Sequence, residues 1–250
     1  MIAKLVFGDT EYSIDLDKPL DLSIPMQSGD QNPNAWYVGS PEFKPVQLDD
    51  WEGSVASGAA VNFTKMEIIP HAQGTHTECL GHITAQQNNV NSAFHRYFFK
   101  AKLISVKPEK RGGDEVIDDH HFQNLIKDLE IEALIVRTLP NSEEKKTRKY
   151  AHTNWPYLTK NAAKWLCRKG IQHLLIDTPS VDKEKDEGKL EAHNAFWDMD
   201  GFPREHATIT EFIYASDSIE DGIYMLEIQL PNMVSDAVPS RPIIYKILES

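Results

Sequence analysis

A short segment of the chain, residues 71–82, concentrates side chains that bind metal ions. It holds three of the ten histidines, together with Glu78 and Cys79. Imidazole and carboxylate groups are the usual protein ligands of Zn²⁺ and related divalent cations. His76 and Glu78 are two residues apart, so on an extended segment their side chains face the same side. His82 can return towards the same point after a short turn, and the spacing therefore favours a metal site.

The apolar residues 66–70 precede this segment and suit a strand that ends at Pro70. The histidines would then lie on the loop that leaves the strand, where functional residues concentrate. Two other interpretations apply to the same residues. A histidine-rich loop is often only solvated surface, although the spacing argues against that here. Cys79 could indicate thiol chemistry, but no separate base and orienting residue accompany it.

One stretch resembles a known family signature: Gly74-Thr75-His76-Thr77-Glu78-Cys79-Leu80-Gly81-His82. The signature is His-x-Gly-Thr-His-x-Asp-x-Pro-x-His, of the putative cyclase family, whose members include bacterial kynurenine formamidase and isatin hydrolase. Residues 20–26 are similar to the family's opening Asp-x-Ser-x-Pro strand. Residues 176–182, followed by His193, resemble its second metal segment. The resemblance extends over about residues 20–248 and implies a metal-dependent amide, lactam or ester hydrolase with a swivelling β/β/α fold.

The signature departs from the family pattern at three positions. Ala72 stands where the family has its first histidine, and His71 lies one residue further from His76. Glu78 replaces the usual aspartate and is one methylene longer. Leu80 replaces the usual proline, which makes the segment less rigid. These differences predict a changed preference for substrate or metal.

The resemblance also implies roles for individual residues. The implied metal ligands are His71, His76, Glu78, His193 and Glu211. His71 reaches the metal only if a one-residue bulge compensates for its shift. Glu205 is the alternative to Glu211 and is closer to the family's usual spacing. The implied cofactor is one or two divalent cations, with Zn²⁺ expected first and Mn²⁺ as the alternative. His82 matches the family's catalytic histidine.

Two functions fit these residues. The first is a hydrolase of a small amide, lactam or ester, in which a metal lowers the pKa of bound water to about 7. In that hydrolase His82 would move a proton to the leaving amine or alkoxide. The second is a metal-binding domain of the same fold with altered catalysis, suggested by the changes at Ala72, Glu78 and Leu80.

The composition limits the partners that we expect. The chain has 250 residues, of which 40% are hydrophobic and 26% charged, as in ordinary globular domains. Its formal net charge of −12 disfavours nucleic acid and anionic membranes, which bind basic surfaces. The sequence has no secretory or transmembrane apolar run, and its two cysteines do not make a disulfide framework. We therefore expect a cytoplasmic protein that acts on a small molecule.

The predicted elements indicate an α/β fold with a mixed sheet in a single domain, residues 1–250. Residues 1–19 contain a β-hairpin extension. Residues 133–176 have a strand–helix–strand order, which predicts a parallel pair with a right-handed crossover. Residues 223–230 and 243–247 predict an antiparallel pair that closes the sheet.

The long segment 27–60 is rich in Asn, Gly, Pro and Ser and carries Trp36, Tyr37 and Trp51. Long loops inside compact domains are usually functional. The aromatic residues could form walls of a substrate pocket, or they could belong to a surface arm that packs on itself or on another subunit. Since the family places subunit contacts near the site, we expect a homodimer or homotetramer.

Overall fold

The structure is a computed structural model that describes residues 1–86, 88–126 and 130–248. Within these ranges the strands are β1 (Ile2–Phe7), β2 (Thr10–Asp15), β3 (Leu20–Asp21), β4 (Glu42–Pro45), β5 (Gln47–Leu48), β6 (Trp51–Glu52), β7 (Thr64–Glu67), β8 (His76–Cys79), β9 (Phe98–Val106), β10 (Glu109–Arg111), β11 (Asp114–Ile117), β12 (Ala133–Thr138), β13 (Tyr157–Leu158), β14 (His173–Ile176), β15 (Thr208–Glu211), β16 (Gly222–Gln229), β17 (Ala237–Pro239) and β18 (Arg241–Leu248). The α-helices are α1 (Pro70–Gln73), α2 (Val90–Ala93), α3 (His120–Ile126), α4 (Lys160–Arg168) and α5 (Glu191–Phe196).

One large mixed sheet organises the chain. Its strand order is β1-β2-β18-β16-β9-β12-β14-β15-β8-β17, and β3 pairs with β18. The central strands β9, β12, β14 and β15 are parallel to their neighbours within this group. The strands on both sides of the group pair antiparallel. The predicted mixed α/β fold is therefore confirmed, as are the parallel pair β12–β14 and the closing pair β16–β18.

The buried centre of the sheet follows from its sequence. Every residue of β12, Ala-Leu-Ile-Val-Arg-Thr, is buried, as expected for a parallel strand that is covered on both faces. One core cluster includes Phe122 of α3, Leu166 of α4 and Phe196 of α5. A second cluster includes Phe99 and Ile135, on the opposite face of the sheet. The parallel strands are thus held between two apolar layers.

The N-terminal hairpin joins the main sheet. Strands β1 and β2 pair in register from Ile2 with Asp15 to Phe7 with Thr10. Strand β2 then pairs with the end of β18 at Ile247 and Leu248. The predicted hairpin at residues 1–19 is therefore present, and it extends the sheet at one edge.

The strand predicted before the segment 71–82 does not extend to Pro70, so its predicted bounds are wrong. Only Thr64–Glu67 is a strand, and it pairs with β4 in a separate two-stranded ribbon whose residues are largely exposed. Pro70 does not end a strand but begins helix α1. Proline suits the first helical position because its missing N–H needs no partner there. The chain therefore enters the metal segment through a helical turn.

Candidate metal centre

The middle of the segment 71–82 is a strand of the main sheet. The loop predicted for these residues is wrong, because His76–Cys79 is strand β8, fully buried between β15 and β17. The register places His76 opposite Glu211 and Glu78 opposite Ile209. The backbone pairing therefore brings a histidine and two carboxylates from distant parts of the sequence to one place.

Four of the residues implied by the resemblance meet in the interior. His76 Nε2 lies 3.4 Å from Glu211 Oε2 and 4.0 Å from Glu78 Oε2. His193 Nε2, from helix α5, lies 2.9 Å from Glu78 Oε1. All four side chains are buried. Glu205, the alternative to Glu211, is exposed in a different surface depression, so the structure brings Glu211 and not Glu205 to this cluster.

His71 also reaches the cluster. Its place on α1 turns the side chain towards β8, so that Nε2 lies 3.9 Å from Glu78 Oε2. The turn of helix α1 thus compensates for the one-residue shift of His71, which was the effect expected of a bulge. The same Nε2 atom lies closer to another carboxylate, at 3.0 Å from Asp236 Oδ2. His71 therefore borders the cluster, and its role as a ligand stays a prediction.

The imidazole of His76 provides the test of whether a cation fits. Its Nδ1 lies 3.0 Å from the Gly74 carbonyl oxygen and donates to it, which leaves Nε2 as the free lone pair. Gly74 adopts a φ of +151°, a conformation that other residues rarely adopt. Nε2 is buried and has no hydrogen-bond partner among the described residues. A buried polar atom without a partner is costly, and coordination of a divalent cation would satisfy it.

The orientation of His193 is fixed by Asp182. His193 Nδ1 donates to Asp182 Oδ2 at 2.5 Å, and the same carboxylate accepts the backbone N–H groups of Ala192 and His193. A histidine that binds metal is usually oriented by such a carboxylate on its other nitrogen. Asp182 lies in the stretch 176–182 that resembles the second metal segment, but no sequence pattern indicates this role. Glu211 is fixed in a similar way, because the N–H of Val181 donates to its Oε1 at 2.8 Å.

The buried charges strongly influence each other. Burial disfavours the charged form of Glu78, but His82 and His193 outweigh it and lower the pKa of Glu78 to about 2. Burial and the charge of Glu78 raise the pKa of Glu211. Burial opposes protonation of His193, yet Glu78 and Asp182 raise its pKa well above the ordinary value. The carboxylates of Glu78 and Glu211 lie close together in the interior, and their charges repel each other. A divalent cation between them therefore suits the charge distribution.

His82 lies at the edge of the cluster. It belongs to a 3-10 turn, Leu80–Ile83, and its Nε2 lies 3.7 Å from Glu78 Oε2. Its ring stacks on that of His71, with 4.4 Å between the centroids. The side chain is partly exposed and faces a cavity of about 360 Å³. A histidine in this position can exchange protons with a molecule in the cavity.

The cavity wall includes one of the three aromatic residues highlighted in the sequence. Trp36 lines the cavity, together with Lys183 and Leu190. Tyr37 instead donates its hydroxyl to Glu184, and Trp51 packs near Phe63. Of the three aromatic residues in the segment 27–60, only Trp36 therefore belongs to the cavity wall, and the other two pack elsewhere.

Comparison with known proteins agrees with the sequence motifs. A sequence model described as Putative cyclase matches residues 20–183, about two thirds of the chain. The chain belongs to the putative cyclase family. The match includes the segment 71–82 and the second metal segment up to Lys183. The resemblance that the sequence motifs indicated is therefore confirmed.

Relatives of the chain are hydrolases by name. The kynurenine formamidase of a Bacillus cereus strain is 27% identical over 241 residues, covering 95% of this chain and 99% of that protein. A solved structure of a potential metal-dependent hydrolase with cyclase activity has a TM-score of 0.65 at 15% identity, over 92% of this chain and 98% of that chain. An isatin hydrolase bound to thioisatinate, a product analogue, has a TM-score of 0.64 at 14% identity, over 92% and 93%. The solved structures share the fold, and the comparisons together support a hydrolase of this family.

In the described part of the chain, no helix combines the length and apolar character needed to cross a bilayer.

The two candidate carboxylates can be separated by metal binding. We expect Glu211→Gln to weaken zinc binding at least about 100-fold, because it replaces a carboxylate oxygen beside the free lone pair of His76. Competition with a chromophoric chelator measures the dissociation constant. Glu205→Gln is the matched control and should bind zinc like the wild type. Loss of zinc affinity in the control, with Glu211→Gln unchanged, would reverse the assignment.

Proposed function

We propose that this chain is a metal-dependent hydrolase that cleaves an amide, lactam or ester bond in a small molecule, in the manner of a kynurenine formamidase. The observation that carries this proposal is the buried cluster of His76, Glu78, His193 and Glu211 beside a cavity that His82 also faces. The free lone pair of His76 Nε2 supports a cation in that cluster. Such a centre needs only water as a second reactant.

The metal would be held by two imidazoles and two carboxylates, with His71 as a further ligand. This donor set suits Zn²⁺ and also accepts Mn²⁺, and we propose one or two ions. A bound divalent cation would supply Lewis-acid chemistry, since it polarises the substrate carbonyl and lowers the pKa of water to about 7. Asp182 keeps His193 in the tautomer whose Nε2 faces Glu78.

His82 would carry the proton transfer. Its ring lies at the cavity, with Nε2 directed to the side of Glu78. We propose that it accepts a proton from the attacking water and donates it to the nitrogen or oxygen of the leaving group. This task requires a ring nitrogen whose lone pair is free, so His82 would not bind the metal.

The cavity supports a small substrate with a flat ring. Its volume of about 360 Å³ suits a molecule of that size, and Trp36 offers an aromatic wall. Lys183 also lines the cavity, although its ammonium already pairs with Asp114 at 2.7 Å. N-formyl arylamides and lactams fused to an aromatic ring match this space and agree with the names of the relatives.

A second candidate function is a metal-binding domain with altered catalysis. The changes at Ala72, Glu78 and Leu80 favour it, because they lie inside the family signature. The position of His82 favours the hydrolase, since a protein that only stored metal would not need a histidine directed into the cavity. Turnover of N-formyl arylamides, isatin and aryl esters with added Zn²⁺ or Mn²⁺ separates the two functions.

The chain also carries a surface arm, which we define as residues 42–69. Apolar side chains are exposed along it: Leu48, Val55, Val61, Phe63, Met66 and Ile69. Large exposed apolar patches often mark protein interfaces. We propose that the arm takes part in a homodimer or homotetramer, and the cytoplasmic location expected from the sequence stays a prediction.

The role of His82 predicts a specific kinetic defect. We expect His82→Ala to lower kcat on the best substrate of the panel by roughly 10²- to 10⁴-fold, the usual contribution of a general acid–base group. Its zinc content should equal that of the wild type, as measured by atomic emission. His95→Ala is the matched control, because His95 is exposed beside His206 outside the site. Full activity of His82→Ala would contradict the proton-transfer role.

The oligomer proposal predicts the effect of charges on the arm. We expect the double variant Val61→Lys/Met66→Lys to raise the dissociation constant of the oligomer at least about tenfold, since it buries two ammonium groups at the interface. Light scattering at micromolar concentrations measures the mass. Phe202→Lys is the control, because Phe202 is 89% exposed and lies outside residues 42–69. A wild-type protein of monomer mass at these concentrations would refute the proposal.

A further inference from the structure

A carboxylate that no sequence motif indicated lies beside His71 and His82. Asp236 ends the link between β16 and β17, and its Oδ2 lies 3.6 Å from His82 Nδ1 and 3.0 Å from His71 Nε2. We propose that Asp236 is a positioning residue, which orients the imidazole of His82 so that its Nε2 faces the reaction cavity. The inference rests on the proposed function of His82 as the proton carrier.

The position of Asp236 is fixed relative to the metal-binding strand. The N–H of Cys79 donates to the Asp236 carbonyl oxygen at 3.0 Å. The next residue, Ala237, lies opposite Glu78 in the pairing of β17 with β8. On the other side, the N–H of Val90 donates to the Ser235 carbonyl at 2.9 Å. The backbone at Asp236 is therefore held by the same strand that carries His76 and Glu78.

Gly81 allows this close approach. A Cβ at residue 81 would lie 2.1 Å from the carbonyl oxygen of Asn88 and 3.2 Å from the Cβ of Asp236. The first distance is too short for any side chain, so only glycine fits there without movement of the backbone. The turn from β8 to His82 can therefore pass directly beside Asp236.

The two nitrogens of His82 face different groups. Nδ1 faces Asp236 at 3.6 Å, and Nε2 faces Glu78 Oε2 at 3.7 Å. At 3.6 Å the first contact is longer than a formed hydrogen bond, as is common for catalytic groups before substrate binds. A carboxylate near Nδ1 favours the tautomer with the proton on Nδ1, and a cation held by Glu78 would offset the opposite influence of that carboxylate on Nε2. Nε2 then keeps the lone pair that accepts a proton from the attacking water.

His71 lies beside both His82 and Asp236. Its ring stacks on His82 at an angle of 28°, and its Nε2 approaches the same oxygen of Asp236. That approach lacks hydrogen-bond geometry, because His71 Nε2 has no hydrogen-bond partner among the described residues. The stacked ring limits how far His82 can rotate. Asp236 and His71 thus restrict two different motions of His82.

The same three side chains, His71, His82 and Asp236, could instead bind a cation, since their ligand atoms lie within 4.8 Å of one another. In that case Asp236 would be a ligand, and its removal would lower the metal content. A positioning residue changes the tautomer of His82 and leaves the metal content unchanged. The two roles therefore differ in what they predict for zinc.

The test compares Asp236→Ala and Asp236→Glu in the zinc-loaded full chain. Long-range ¹H–¹⁵N NMR reports which nitrogen of His82 carries the proton. We expect the Nδ1–H form in the wild type, a shift towards Nε2–H in Asp236→Ala, and partial recovery in Asp236→Glu. Zinc content should stay the same in all three proteins. Val234→Ala is the matched control, because Val234 is exposed in the same link.

Kinetics on formanilide, a simple N-formyl arylamide, provide a second measurement. We expect Asp236→Ala to lower kcat at least about tenfold and to change KM less than about twofold, because the carboxylate does not touch the substrate. An unchanged tautomer in Asp236→Ala would overturn the proposal, and so would loss of zinc. If the wild type does not hydrolyse formanilide or the other panel substrates, the proposed function fails, while the NMR result still decides whether Asp236 orients His82.

Discussion

The burial of two carboxylates, Glu78 and Glu211, is the constraint on which the rest of the site depends. Buried charges are costly unless partners compensate them, and the imidazoles of His193 and His76 lie beside these two carboxylates, at 2.9 Å from Glu78 and 3.4 Å from Glu211. The positions of these partners are set by the pairing of β8 with β15 and by helix α5. Strand pairing and a helix therefore fix the site, and a bound divalent cation would provide the positive charge that suits this interior.

The family fold distributes the tasks of the site between rigid and adjustable parts. Strands β8 and β15 place the residues that would hold the metal, inside the sheet. The residues that would act on the substrate, His82 and Trp36, lie on a turn and on a loop at the cavity. Such a division allows substrate preference to change while the metal centre is preserved. Two departures of this chain from the family signature lie in different parts of the site. Glu78 is on strand β8, and Leu80 begins the turn that carries His82.

The sequence predicted the mixed sheet from its long strand patterns. It predicted the group of His76, Glu78, His193 and Glu211 from the resemblance to the family signature. It did not predict that residues 76–79 form a strand, since their polar side chains lack an apolar pattern. The strand that the resemblance implied at residues 20–26 has only its first two residues, Leu20 and Asp21, in β3, because the pairing with β18 ends there. The contributions of Asp182 and Asp236 depend on contacts between residues that are distant in the sequence, and local patterns do not encode these.

Anomalous X-ray scattering at the zinc edge, from crystals grown with equimolar Zn²⁺, shows directly whether the buried cluster binds a metal ion. We expect a peak at about 2.0–2.2 Å from His76 Nε2, a buried nitrogen that has no hydrogen-bond partner among the described residues, with oxygens of Glu78 and Glu211 at similar distances. The partly exposed cluster of Glu109, His120 and His121 serves as an internal comparison, because its side chains are also close enough to bind a cation. A peak there, with none at His76, would show that the buried cluster is not the metal site.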